Sequence, residues 1–288
     1  MKLFFLTAIL LVSCMAVRSQ EVELSGGYQV TNLRWSIAGN NRNVLSEVKW
    51  RALSGPLLQG RLKFSPVRRV FAGAEVSKCF ITSGSATDTD YGDNNRSLPT
   101  YQAELRSDEG SIWTCRIFGG FNFLLRKRLQ LSAIAGYTAN REALLLLNYT
   151  APVPGQKHLR CTYQTSWKGL SGGVNGCYQV TSWMDVQAEL QYSQMHYAAE
   201  ADWNLIDAFQ HPVSFKQRAK GFELRLNAAT VFKLNQYLSL YIAGAYNHAA
   251  TGTGTDELYL ASGAVQTTRF NGAFANARKV LVGTRIAF

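Results

Sequence analysis

The sequence predicts an all-β chain, a ten-stranded antiparallel transmembrane β-barrel with long extracellular loops, and three observations carry that prediction. Segment after segment alternates apolar with polar side chains, the pattern of a strand that turns one face to lipid. The last such segment, Val280 to Phe288, sets Val280, Val282, Thr284, Ile286 and Phe288 on one face and ends on an aromatic, which looks like the C-terminal strand of a bacterial outer-membrane barrel. Very short turns also alternate with long polar stretches, so the hairpins are long-looped at one end only.

From the N-terminus, Met1-Lys2 precedes the apolar run Leu3 to Met15 and then Ala16-Val17-Arg18-Ser19-Gln20. This reads as a secretory signal over residues 1–19, with the barrel occupying 20–288. Its removal takes away Lys2 and Arg18 and lowers the formal net charge from +11 to +9. The lipobox-like Leu11-Val12-Ser13-Cys14 is the alternative, with lipidation of Cys14. After residue 20 no apolar run approaches the ~18 residues of a membrane helix, so an exported chain this apolar is either soluble or a barrel, and periodicity selects the barrel.

The strands show that period of two throughout. Leu129, Leu131, Ala133 and Tyr137 alternate with Gln130, Ser132 and Thr138, and Val186, Ala188, Leu190 and Tyr192 alternate with Gln187, Glu189, Gln191 and Ser193. Phe222, Leu224, Leu226 and Ala228 alternate with Glu223, Arg225 and Asn227, and Leu238, Leu240 and Ile242 follow after a tight turn. Charges on the inner face of a narrow barrel need partners, so Glu189, Glu223 and Arg225 are expected to be paired there. Short turns are expected at Ser65 to Val67, Leu125 to Lys127, Val180 to Met184 and Leu234 to Gln236. Long loops are expected at Asn40 to Asn43, Ser83 to Pro99, Ala151 to Lys157, Glu200 to Pro212 and Ala249 to Phe274. Four turns and five loops give ten strands, with every long loop at the outer face.

Four cysteines follow the signal: Cys79, Cys115, Cys161 and Cys177. Cys161 and Cys177 fall on one continuous strand, where ~3.3 Å per residue carries them far past the ~7 Å limit for a disulfide, and isolated thiols are favoured. The four histidines show no metal-ligand spacing, and no metal or other cofactor is expected. Acid gathers in two loops at the same barrel end, as Asp88-Thr89-Asp90-Tyr91 and as Glu200-Ala201-Asp202-Trp203-Asn204. Alone, each is most often a solvated turn.

Other segments give those acids a context. Leu45-Ser46-Glu47-Val48-Lys49-Trp50, the Asp88 to Tyr91 run with Ser83-Gly84 before it, Ala135-Gly136-Tyr137 with Arg141, the Tyr163 to Tyr178 strand, Tyr192-Ser193 and the Ala273 to Phe288 region follow a familiar order and spacing. The chain resembles the omptin family, ten-stranded outer-membrane aspartyl endopeptidases, along essentially its whole length after the signal. The resemblance implies catalysis by an Asp pair on one side of the barrel mouth and an Asp-x-His pair on the other. Asp88 and Asp90 match the first pair, and Asp202 matches the Asp of the second. Asn204 stands at the histidine position, and an amide cannot take a proton at neutral pH. Of the two acids that read a basic side chain before the cut, Glu200 matches one and Leu33 replaces the other. Of the family's lipopolysaccharide contacts, Arg141 and Lys220 match and Ser166 replaces a basic residue.

Two functional readings follow. One is a cell-surface aspartic-type endopeptidase working through the Asp pair on peptide or protein substrates, with lipopolysaccharide as a requirement for activity. The other is a catalytically inactive omptin-like barrel that binds, adheres or serves as a structural outer-membrane protein. Outer-membrane lipid is the expected partner of either; a monomer is expected, and no nucleic acid. A pore is disfavoured because Glu, Arg, Tyr and Gln side chains fill so narrow a barrel.

Overall fold

The computed structural model describes residues 19–39, 41–150 and 157–288. The expected signal peptide up to residue 18, the alternative lipidation site Cys14 and most of the expected 151–157 loop lie outside them. The described chain is an antiparallel sheet of twelve strands: β1 Ser19–Gly39, β2 Arg42–Val67, β3 Val70–Phe80, β4 Ser83–Tyr91, β5 Pro99–Arg106, β6 Gly110–Leu125, β7 Leu129–Leu147, β8 Arg160–Gln179, β9 Met184–Asp202, β10 Phe215–Lys233, β11 Leu238–Tyr259 and β12 Val265–Ala287. Neighbours in sequence pair with one another except β3 with β4 and β5 with β6, and β1 is hydrogen-bonded along one edge to β12 and along the other to β2.

Twelve strands stand where ten were expected, because two long strands are each interrupted once. β3 and β4 both pair with β2, while β5 and β6 both pair with β7. Each interruption is flanked by a glycine at positive φ, Gly84 at +154° and Gly110 at +133°, a conformation that side-chain-bearing residues rarely adopt. β2 itself carries an irregularity at the same level, with its register to β4 shifting between Arg51 and Ser54 and Ala52 at φ 51°. The stretches 83–99 and 249–274, expected as loops, are mostly strand, and the connections there shrink to 92–98 and 260–264. Above a membrane both faces of a strand meet water or a polar interior, so the polarity that sequence reading took for a loop belongs to paired backbone.

The outer face of the sheet carries a belt of exposed apolar side chains. On β9 the belt covers Val186, Leu190 and Tyr192, and on β8 it covers Leu170, Val174 and Tyr178. Aromatics bound it on both sides, Tyr28, Trp113, Tyr192 and Tyr246 toward the 92–98 end and Trp183, Tyr237 and Phe288 toward the other. Exposing such a belt to water costs about 25 cal/mol per Å² of apolar surface, so lipid is its solvent. Beyond Tyr192, β9 continues for ten residues with Gln194, His196 and Glu200 on its outer face, well clear of the belt.

The inner face is polar and crossed by ion pairs. Arg116 of β6 bonds Glu189 of β9 at 2.9 Å, and Arg225 of β10 bonds Glu75 of β3 at 2.6 Å, all four being almost fully buried. The expectation of paired interior charge is met for Glu189 and Arg225, while Glu223 accepts a hydrogen bond from Asn140. Toward the 92–98 end this ionic layer gives way to aromatic rings. Tyr163 is stacked between Trp50 at 5.0 Å and Trp35 at 5.8 Å, and Tyr197 lies on Phe270 at 5.6 Å. These rings form the floor on which the candidate site rests.

Candidate functional site

Asp88 and Asp90 lie on strand β4 rather than in a loop. Asp88 pairs with Val48 and Ala103, and Asp90 with Ser46 and Tyr101, so both carboxylates share the inner face. Asp88 is 9% exposed. Burial raises its pKa from 3.8 to about 7, the charge of Asp90 pushes the same way, and hydrogen bonds from the Trp203 indole and the Thr89 backbone oppose the shift only in part.

The second pair is not brought to the first. Along β9 the inward positions are Tyr197, Ala199 and Ala201, followed by buried Trp203, while Glu200 and Asp202 alternate to the outer face. The register agrees, since Ala201 faces buried Tyr163 and Phe215 across the ladders and Asp202 faces Thr162. Glu200 is bound by Lys216 at 3.0 Å on the outer wall. Asp202 meets His211 Nδ1 at 2.5 Å, an imidazole that reaches it through the loop between β9 and β10. Nine residues of chain separate the two, and only the return of that loop brings the imidazole near.

Asn204 ties two strand ends together. Its amide oxygen accepts from the Arg160 backbone N–H and its amide nitrogen donates to the His158 carbonyl, each at 2.9 Å. Leu33 is buried among the interior apolar side chains. On the outer wall Arg141 and Lys220 are both exposed; Arg141 lies beside Ser166, and Lys220 lies beside His196, which in turn faces Lys168.

What faces Asp88 and Asp90 is a cavity of about 650 Å³. Its walls are mainly apolar, from Trp35, Leu105, Leu146, Trp203, Phe215 and Leu258, and a third acid, Asp256 of β11, lines it as well. Asp256 is buried, accepts hydrogen bonds from Gln217 at 3.0 Å and Thr268 at 3.3 Å, and is pushed by burial up to about 6. Gln217 accepts in turn from the Tyr163 hydroxyl at 2.7 Å, which links Asp256 to the aromatic floor. Asp256 went unnoticed in the sequence because it lies in a stretch read as a loop; the shared parity of Asp256 and Leu258, with Glu257 between them, was the available signal. Cys161 also lines the cavity, and burial pushes its thiol up to about 12, with the Asp88 and Asp202 charges acting in the same direction. All four cysteines among the described residues are free, and Cys161 and Cys177 share β8 as expected. No cluster of three metal-ligating side chains occurs among the described residues.

A model of the Protochlamydia outer membrane protein family matches residues 23–284 of the chain. No curated protein matches it in sequence. In fold the chain is similar to the outer membrane protease OmpT from Escherichia coli, with a TM-score of 0.75 and 13% identity, covering 95% of this chain and 98% of that one. It is also similar to the translocator domain of the autotransporter NalP from Neisseria meningitidis, with a TM-score of 0.42 and 11% identity over 100% of this chain and 95% of that one. At such identities the first likeness speaks for the fold alone.

Proposed function

Because the chain belongs to the Protochlamydia outer membrane protein family, we propose that it is a closed outer-membrane β-barrel of ten staves, two of them each broken once, whose water-exposed mouth holds a ligand rather than cutting a peptide. The pairing of β1 with both β2 and β12 and the likeness to OmpT support closure. The outer faces beyond Tyr192 and Tyr246, which carry Gln194, His196, Glu200 and His248, support placing the mouth outside the cell. The single observation that carries the binding reading is the parity of β9. Omptin-type hydrolysis calls for a proton acceptor on the cavity side of that strand, and there Ala199, Ala201 and Trp203 offer none. The cationic outer positions Arg141 and Lys220, with Lys168 nearby, are suited to the phosphates of lipopolysaccharide headgroups.

One observation favours the second reading, an endopeptidase. Two inward carboxylates with Asp88 raised to about 7 are the arrangement in which one proton is shared between acid and base. The test is incubation of the folded protein, in detergent with lipopolysaccharide, with peptides containing Arg and Lys from pH 5 to pH 8. No cleavage is expected. Cleavage that disappears in Asp88→Ala/Asp90→Ala would replace the binding reading with the peptidase.

A further inference from the structure

We propose that the mouth cavity is a binding site for a small amphiphilic amine, an apolar body carrying one cationic nitrogen; this rests on the binding reading above. The volume of about 650 Å³ is that of a small-molecule pocket rather than a polymer groove. Its walls supply apolar contact from several strands, and Tyr101, Leu205 and Ile206 form an entrance that is 51%, 41% and 39% exposed. An apolar ligand alone would leave the acids unexplained. Asp88, Asp90 and Asp256 line the cavity, no Lys, Arg or His does so among the described residues, and none of the three acids has a salt bridge there. By contrast, the buried Glu75 and Glu189 deeper in the barrel are held by Arg116 and Arg225.

The cavity wall also carries an unpaired donor. The Trp35 indole N–H is buried, belongs to a residue lining the cavity and has no hydrogen-bond partner, although an orphaned buried donor costs about 1–3 kcal/mol. Carboxylates on β4 and β11 would meet the cationic nitrogen, and the Trp35, Trp203 and Phe215 rings that line the cavity would take the apolar body. An anionic amphiphile meets only like charge there.

The experiment compares octylammonium, octanol and octanoate against the folded barrel in lipid nanodiscs, by titration calorimetry with empty nanodiscs as the blank. Octylammonium is expected to bind roughly tenfold or more tightly than either analogue, one charge-assisted contact being worth at least that factor. Asp88→Asn/Asp90→Asn is expected to remove the preference while leaving octanol unchanged, and Leu146→Trp, which fills the cavity, to abolish binding of all three. If the double variant does not fold, Asp90→Asn, at a half-buried position, carries the same comparison. Equal binding of all three probes, or a preference that survives the Asp changes, would overturn the amine assignment and leave the binding reading standing. Failure of all three to bind the folded protein overturns the amine site as well. Peptide cleavage in the assay above would instead remove the binding reading beneath it.

Discussion

Asp88 offers the sharpest test of the site, because its carboxyl is predicted to hold a proton near neutrality. Raising that carboxyl from 3.8 to about 7 means, at ~1.36 kcal/mol per tenfold in proton affinity, that the folded barrel bears about 4 kcal/mol when the group ionises. The folded state binds the proton more tightly than the unfolded chain does. Stability owed to this group is therefore complete below pH 3.8, falls as the pH rises toward about 7, and is flat above it. The Trp203 indole bonds this carboxyl, so tryptophan fluorescence reports the titration directly, and subtraction of a Trp203→Phe curve isolates it from the other tryptophans. A transition centred near pH 7 is expected in the wild type. It should move down in Asp90→Asn, where the like charge is gone, and vanish in Asp88→Asn. In parallel, urea midpoints in vesicles should decline between pH 4 and pH 7.5 in the wild type and stay level in Asp88→Asn. A transition centred near pH 4, or one unchanged in Asp88→Asn, would refute the burial argument and place Asp88 in contact with bulk water.

Arg225→Ala should lower the temperature at which the compact form is lost on gels, corresponding to about 3 kcal/mol, because it strands Glu75 inside the barrel with only the longer contact to Arg116; Arg225→Met/Glu75→Gln should recover much of that loss. Asn204→His should leave the protein without peptidase activity and fray the start of β8 in hydrogen exchange, since it removes two hydrogen bonds worth about 1 kcal/mol each. A membrane-permeant maleimide should label Cys115, which is exposed on the outer face, and leave buried Cys79 and Cys161 unmodified in the folded barrel; rapid labelling of Cys161 would contradict its burial and its thiol held at about 12.

The sequence by itself determined the all-β antiparallel class, the tight turns at one end, the lipid-facing belt and the need for paired charge inside. Those follow from a period of two and from short turns, which are local, and a chain with an apolar face on every strand has few ways to satisfy both its backbone and that face. The pairing of Glu189 and Arg225 was legible for the same reason, since an inward charge in a narrow interior has nowhere else to go. The site was not legible to that degree. Whether Asp202 shares a chamber with Asp88 depends on the parity of one position at the end of β9, and a shift of one residue moves a side chain through the wall. A motif matched by spacing alone carries no such parity, so Asp202 and Glu200 were joined to Asp88 although the strand turns them outward. The strand breaks beside Gly84 and Gly110, the return of His211 to Asp202, the use of Asn204 as a tie and the entry of Asp256 into the cavity all arise from contacts between segments far apart in the chain. Only the packing of those segments against one another decides which of them meet.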